Sequence, residues 1–276
     1  MTINQLKSTL SRFHIKPNKL LGQNFLLSEE ALDKIVEAGE LDSNDLVLEI
    51  GPGLGVLTIR LAERAGKVLA VEKDEKIYQA LRKILKRYKN IKLVNRDVLF
   101  FDPTSYDLQA TTYKLIANIP YYLTGKIIQN FLTTKSKPSL MVLLLQKEVA
   151  LRLTARPGEM SLLSVSAQFY SDLEIISTVG KENFYPVPAV DSAIVKLKVL
   201  PKSRFGVDEK KFFQLIKIGF SGRRKQLHNN LTSGLGAGNY KKILSEIGLN
   251  PLIRAQDLSL EDWHKLYAIL LPQNFS

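Results

Sequence analysis

The chain has 276 residues, 45% of them hydrophobic, with no cysteine and a formal net charge of +12 from 39 Lys and Arg against 27 Asp and Glu. That length can bury a sizeable core and suits one large domain plus a small one, while the absence of cysteine excludes disulfides, thiolate metal sites and a cysteine nucleophile. Only His14, His228 and His264 remain as imidazoles, too scattered for a histidine-rich metal site, and neither a spanning apolar run nor a signal-peptide core is present, so a cytoplasmic protein with no metal and no membrane partner is expected.

Residues 1–20 carry Lys7, Arg12, Lys16 and Lys19 with no acid. The following Gly22-Gln23-Asn24-Phe25-Leu26-Leu27 reads as part of an ordered loop, because Ser28-Glu29-Glu30 then opens a helix with a cap residue and two acids in its first turn. From there strand and helix patterns alternate: strands at 46–50, 67–71, 91–94, 113–117 and 140–146, with helices over about 56–64, 74–87 and 124–132. Short apolar strands separated by amphipathic helices predict an α/β fold, a mostly parallel Rossmann-like sheet covered on both faces. A later pair, 173–179 and 192–199, alternates as strands do and is expected to complete the sheet in antiparallel fashion. Beyond Leu200-Pro201-Lys202-Ser203 only helices are legible, for example 211–218 and 260–270, broken by the glycine-rich stretch 233–239. The expected division is a domain over 1–203 and a small helical domain over 204–276.

Ligands of such sheets bind beyond the carboxyl ends of the strands, and four strand ends here carry distinctive residues. After the first strand stands Glu49-Ile50-Gly51-Pro52-Gly53-Leu54-Gly55. Its glycines permit positive φ and close approach of a ligand to the main chain. The spacing departs from the dinucleotide fingerprint, which requires a glycine where Val56 stands. Glu72 ends the second strand, placed to accept from both hydroxyls of a ribose. Asp97 follows the third and can accept from an adenine amino group. After the fourth comes Asn118-Ile119-Pro120-Tyr121. The exocyclic amine of adenine is a poor nucleophile because its lone pair is delocalised, so a methylating site must hold it with acceptors. The Asn118 side-chain carbonyl and the Ile119 main-chain carbonyl suit that task, Pro120 fixes the loop, and Tyr121 offers a face for the base.

Two further acid-free basic runs, Arg82 to Arg96 and Ser221 to His228 with Arg223-Arg224-Lys225, add to the N-terminal one. Clustered cations gain from neutralising phosphates with release of counterions, so the leading partner class is nucleic acid.

The motifs taken together resemble those of the ribosomal RNA adenine dimethyltransferases of the KsgA type: Gly22 to Leu26, Glu49 to Gly55, Asn118 to Tyr121, then Phe184-Tyr185-Pro186-Val187-Pro188-Ala189-Val190-Asp191-Ser192, and in the tail Phe220 to Leu227. The resemblance implies a Rossmann-like class I methyltransferase domain with a helical domain that binds RNA. It implies S-adenosyl-L-methionine as cofactor, with Asn24 and Leu26 lining its methionine side, Gly51 at its back, Glu72 on the ribose, Asp97 on the adenine and Asn118 at the junction with the target amine. Phe184 would stack on the target adenine opposite Tyr121. The implied reaction is dimethylation at N6 of two adjacent adenosines in the 3′-terminal hairpin loop of 16S small-subunit rRNA on an immature 30S particle, by a monomer. Lys16, Lys19, Lys86, Arg87, Arg223, Arg224 and Lys225 would contact phosphates. The rival expectations are a 23S rRNA methyltransferase of the macrolide-resistance type and a ribosome-assembly factor that binds RNA without turnover.

Overall fold

The buried apolar strands read from the sequence assemble into a seven-stranded sheet, seen in a computed structural model that describes residues 1–18, 22–106, 108–110 and 112–274. Contacts divide the chain into two compact units, Met1–Ala150 with Asp172–Pro201, and Leu151–Ser171 with Lys202–Ser276.

The first unit begins with α1 (Ile3–Arg12), β1 (Phe25–Leu26) and α2 (Glu29–Ala38), followed by β2 (Leu46–Ile50), α3 (Val56–Ala62), β3 (Lys67–Glu72), α4 (Glu75–Ile84) and β4 (Ile91–Asn95). It continues through β5 (Tyr113–Asn118), α5 (Thr124–Thr133) and β6 (Leu140–Gln146), and closes with β7 (Ser171–Val179), β8 (Phe184–Tyr185) and β9 (Ser192–Val199). The sheet order is β4-β3-β2-β5-β6-β9-β7. β2 pairs in parallel with β3 and β5, and β9 runs antiparallel to β6. The chain therefore winds outward from β2 to β4, then returns to lay β5 on the other side of β2. Such a reversal leaves a crevice at the carboxyl ends of β2 and β5.

The strands read as continuous apolar runs because both faces are covered. Val47, Leu48, Val68, Ala70, Leu115, Ile116 and Met141 through Leu145 are essentially without solvent exposure. Each such Val, Leu or Ile contributes about 1.5–3 kcal/mol relative to an exposed one. Helix starts follow the expected chemistry: Ser28 Oγ accepts from Ala31 N–H at 3.2 Å, and Asp74 Oδ1 accepts from Lys76 N–H at 2.9 Å.

Two features were not legible in advance. The basic N-terminal segment forms α1, capped by Thr2 with Gln5 reaching back, and Leu6 and Leu10 are buried one turn apart. It packs with Leu81 and Leu85 beside α4, which carries Lys83 to within 5.8 Å of the Phe13 ring. Two basic runs distant in sequence thus share one face of this unit. The second feature is the short antiparallel pair of β1 and β8, in which Leu26 opposes Phe184.

The second unit is helical, holding the C-terminal end of α6 (Lys147–Leu153) and then α7 (Leu162–Tyr170), α8 (Glu209–Gly219), α9 (Leu227–Leu235), α10 (Tyr240–Glu246) and α11 (Leu260–Asn274). The stretch 151–171, N-terminal to residue 203, belongs to this unit, because α7 supplies Phe169 to an aromatic core. Its ring stacks on Phe212 at 5.0 Å and meets Phe213 edge-on at 5.2 Å. Arg223, Arg224 and Lys225 are exposed in the turn between α8 and α9.

Candidate cofactor and base site

A cavity of about 1030 Å³, open mouth included, sits at the carboxyl edge of β2, β3, β4 and β5. Asn24, Leu26, Gly51, Glu72, Asp97, Asn118 and Pro120 all line it, so parallel pairing has brought together residues spread over nearly a hundred positions.

The glycine turn after β2 follows from its backbone angles. Gly51, Gly53 and Gly55 have φ of +65°, +60° and +82°, values that cost an L side chain about 1 kcal/mol or more. Space is also limited, since a Cβ on Gly53 would stand 3.2 Å from the Phe25 ring. The segment 22–26 is thereby held against the turn, and Gln23 Nε2 fastens it further by donating to Asp74 Oδ2 at 3.1 Å.

Glu72 is buried at the end of β3, its Oε1 accepting from Asp74 N–H at 2.8 Å. Burial pushes its carboxyl up to about 7, against the N–H donors that favour the anion. Glu49, one residue before the end of β2, is more deeply buried, is pushed up to about 8 by the same cause, and its Oε2 has no hydrogen-bond partner among the described residues. Asp97 differs. Partial burial raises it, but the Lys73 ammonium at 2.8 Å and the Leu99 N–H at 3.0 Å outweigh burial and hold it below the usual carboxylate range. Asp97 is therefore ionised and Glu72 is poised near neutrality.

Asn118 ends β5 and donates from Nδ2 to the Asn24 main-chain carbonyl at 3.2 Å. That bond assigns the amide orientation and leaves Oδ1 without a hydrogen bond among the described residues. Ile119 N–H donates to Leu144 O at 3.1 Å, fixing the next peptide to β6. Pro120 packs on Gly22, where an added Cβ would meet the proline Cβ at 3.0 Å.

Of the two aromatic residues expected at the base, Phe184 departs from expectation. Tyr121 is half-buried with its hydroxyl 2.8 Å from Ser192 Oγ, and burial raises its phenol. Phe184, expected to wall the base pocket, is 1% exposed, its ring packed with Leu26, Leu32 and Ile35 in the core and absent from the cavity. Pairing of β8 with β1 turns the ring inward, where its apolar area is worth more than at a wet mouth. Tyr122 instead lines the cavity and is 54% exposed. Lys73 and Tyr122 are cavity residues that the sequence did not single out, each next to one that it did, and Gln23 and Glu49 were named only as parts of their motifs. Lys16, Lys86 and Arg87 are exposed in the first unit, and Lys19 lies outside the described residues.

A glycine turn after the first strand of the sheet, an acid at the end of the second and a cavity at the switch point define a Rossmann-like class I methyltransferase. Solved structures bear this out. A dimethyladenosine transferase from Plasmodium falciparum superposes with a TM-score of 0.78 at 26% identity over 90% of this chain and 98% of that one. A 23S rRNA methyltransferase, ErmE, does so with a TM-score of 0.72 at 26% identity over 88% and 98%. The chain belongs to the ribosomal RNA adenine dimethylase family, whose profile matches residues 14–271. A relative from Dehalococcoides mccartyi, ribosomal RNA small subunit methyltransferase A, is 44% identical over 266 residues, covering 95% of this chain and 91% of that protein.

Proposed function

We propose that this enzyme uses S-adenosyl-L-methionine to dimethylate N6 of two adjacent adenosines in the 3′-terminal hairpin loop of 16S rRNA, acting in the cytoplasm as a monomer on the immature 30S particle. The observation that carries the reading is the line of acceptors along one sheet edge, Glu72, Asp97 and the uncommitted Oδ1 of Asn118. The preference for the small subunit rests on the 44%-identical relative named for it.

The cavity fits the cofactor chemically. Three glycines at positive φ leave main chain bare where a ligand must lie close. Glu72 retains lone pairs for two ribose hydroxyls, and Asp97 is an ionised acceptor for the adenine amine. Asn24 and Leu26 line the wall held against the glycine turn. Bound there, S-adenosylmethionine supplies a methyl group on a sulfonium, an electrophile that needs no further activation.

The chain's own work is then positioning. Asn118 Oδ1 and the Ile119 carbonyl accept from the two N–H bonds of the target amine, favouring a pyramidal nitrogen with its lone pair free to attack. Attack makes that nitrogen acidic, so its proton leaves to solvent without a strong base. Pro120, seated on Gly22, couples the acceptor loop to the cofactor wall. Tyr121 supports the flipped base beside it, while Phe184 acts at one remove by anchoring β8 on β1. The exposed cations of both units, Lys16, Lys86, Arg87, Arg223, Arg224 and Lys225, meet phosphates and make binding steeply salt-dependent.

The test is methyl transfer from labelled S-adenosylmethionine to undermethylated small subunits and to protein-free 23S rRNA, followed by mass spectrometry of the adenosines. Dimethyladenosine at two adjacent positions of the terminal hairpin is expected. Label confined to the 23S RNA would replace this reading with that of a large-subunit enzyme.

A further inference from the structure

The turn after Asp97 presents a side chain for which the fold has no use. Val98 and Phe101 anchor that turn: both are buried, and the Phe101 ring stacks on Tyr106 at 4.9 Å and 19°. Phe100 stands between them, 79% exposed, more than any other large apolar side chain among the described residues. Its N–H donates to the Asp97 carbonyl at 3.0 Å, so the ring sits one short turn from the adenine-side acid. Tyr122, 54% exposed, is the second open aromatic of this edge. The two turns that carry them, Val98–Phe100 and Tyr121–Leu123, both pack against α5.

Cations without ion-pair partners among the described residues stand beside these rings. Arg96 lines the cavity mouth and Lys126 lies in the first turn of α5; both are exposed, and neither forms an ion pair among the described residues. Lys126 is near enough to act on the charge of Asp97. The nearby acids are already engaged, Asp97 by Lys73 at 2.8 Å and Asp102 by Thr104 N–H at 3.0 Å. Open aromatic faces interleaved with free cations suit unpaired nucleotides, whose bases stack on any ring and whose phosphates need counter-charges.

We infer that Phe100 and Tyr122 form a stacking platform for the unpaired nucleotides flanking the target adenosine, with Arg96 and Lys126 holding their phosphates. The inference rests on the RNA-methylating reading above and adds a binding surface to it. A base extruded into the cavity must drag its neighbours to the rim. A rim that stacks them offsets the loss of stacking within the loop.

Phe100→Ala isolates the platform, because so exposed a ring contributes nothing to the core. With the full-length chain and undermethylated small subunits, KM for the particle rises about tenfold or more, while kcat and S-adenosylmethionine affinity stay at wild-type values. Phe100→Trp keeps wild-type KM and Phe100→Leu behaves like Ala. A wild-type KM in Phe100→Ala overturns the inference. So does full rescue by Leu, which would mark a plain apolar contact with a protein. A second arm uses an RNA hairpin with 2-aminopurine beside paired loop adenosines. Stacking quenches its fluorescence with the wild type but not with Phe100→Ala, and equal quenching overturns the platform. If the wild type methylates neither substrate, the proposed reaction fails, and this second arm still decides the platform.

Discussion

The proposed cofactor side and the proposed base side of the cavity are built to different degrees of completion. On the cofactor side Gly51, Glu72 and Asp97 follow three neighbouring parallel strands, and backbone pairing fixes each before any ligand arrives. On the base side Asn118 is fixed in the same way, with Nδ2 on Asn24 and Oδ1 left over. Of the aromatic residues expected to clasp the base, Phe184 is taken up by the core, and Tyr121 is tied by its hydroxyl to Ser192. Acceptors are thus preorganised by the sheet, while the open aromatic rings, Phe100 and Tyr122, stand at its rim. Catalysis that rests on directed acceptors can be rigid; capture of an extruded base draws on more adaptable parts.

Asn118→Ala gives the sharpest break between the two sides. Removing a directed acceptor of this kind costs about a hundredfold to a thousandfold in turnover, read as labelled methyl incorporation. Cofactor affinity, read by calorimetry, should shift only severalfold, from loss of the tie to Asn24. A drop in cofactor affinity as large as the drop in transfer would move Asn118 to the cofactor side and void its role at the amine.

Next in size is a pH effect confined to the cofactor side. Burial pushes Glu72 up to about 7, so below that pH the free protein holds it protonated. The carboxylate is the form that accepts from two hydroxyls. Affinity for S-adenosylmethionine should therefore rise as pH climbs through about 7 and fall up to tenfold per unit below it, with proton release on binding near neutrality. Glu72→Gln should weaken binding and flatten the profile between pH 5.5 and 8.5. The folded chain holds protons on Glu72 and Glu49 above the ordinary carboxylate value of 4.5, so stability falls as pH rises from there to about 7 and 8.

What could be read from the sequence follows the same divide. Strands β2 to β6 are contiguous apolar runs, and residues after them must share an edge once pairing is parallel, so Gly51, Glu72, Asp97 and Asn118 were legible as a group. Phe184 was not, because its direction depends on a two-residue pairing with Leu26 from a segment more than 150 positions away. Tyr122 was missed beside Tyr121 because adjacent residues on a tight turn point apart. The helices α1 and α7 were hidden by composition: basic residues masked the Leu6–Leu10 stripe, and α7 has mixed small and aromatic residues with a weak period.

Smaller changes ask whether the two sides communicate. Gly22 has φ +63° and faces Pro120; Gly22→Ala should lower stability by about 1 kcal/mol and weaken cofactor binding and methyl transfer together by severalfold. Gly125→Ala, with open space around its Cβ, is the control and should change neither. Equal loss in both readouts would show the 22–26 wall and the Asn118 loop acting as one body.

The smallest effect is expected from Tyr121→Phe, because it keeps the ring and removes only a hydroxyl 2.8 Å from Ser192 Oγ. Ser192 opens β9 and is fully buried, so the lost bond costs about 0.5–1.5 kcal/mol of stability, visible as a drop of a few degrees in the midpoint of thermal unfolding. Adding Ser192→Ala should recover part of that loss, since no buried hydroxyl is then left unpaired. Transfer should remain within about twofold of the wild type if the hydroxyl only seats the ring. A deficit in Tyr121→Phe comparable to that of Asn118→Ala would instead put the phenol among the groups that act on the amine, and the base side would then be as preorganised as the cofactor side.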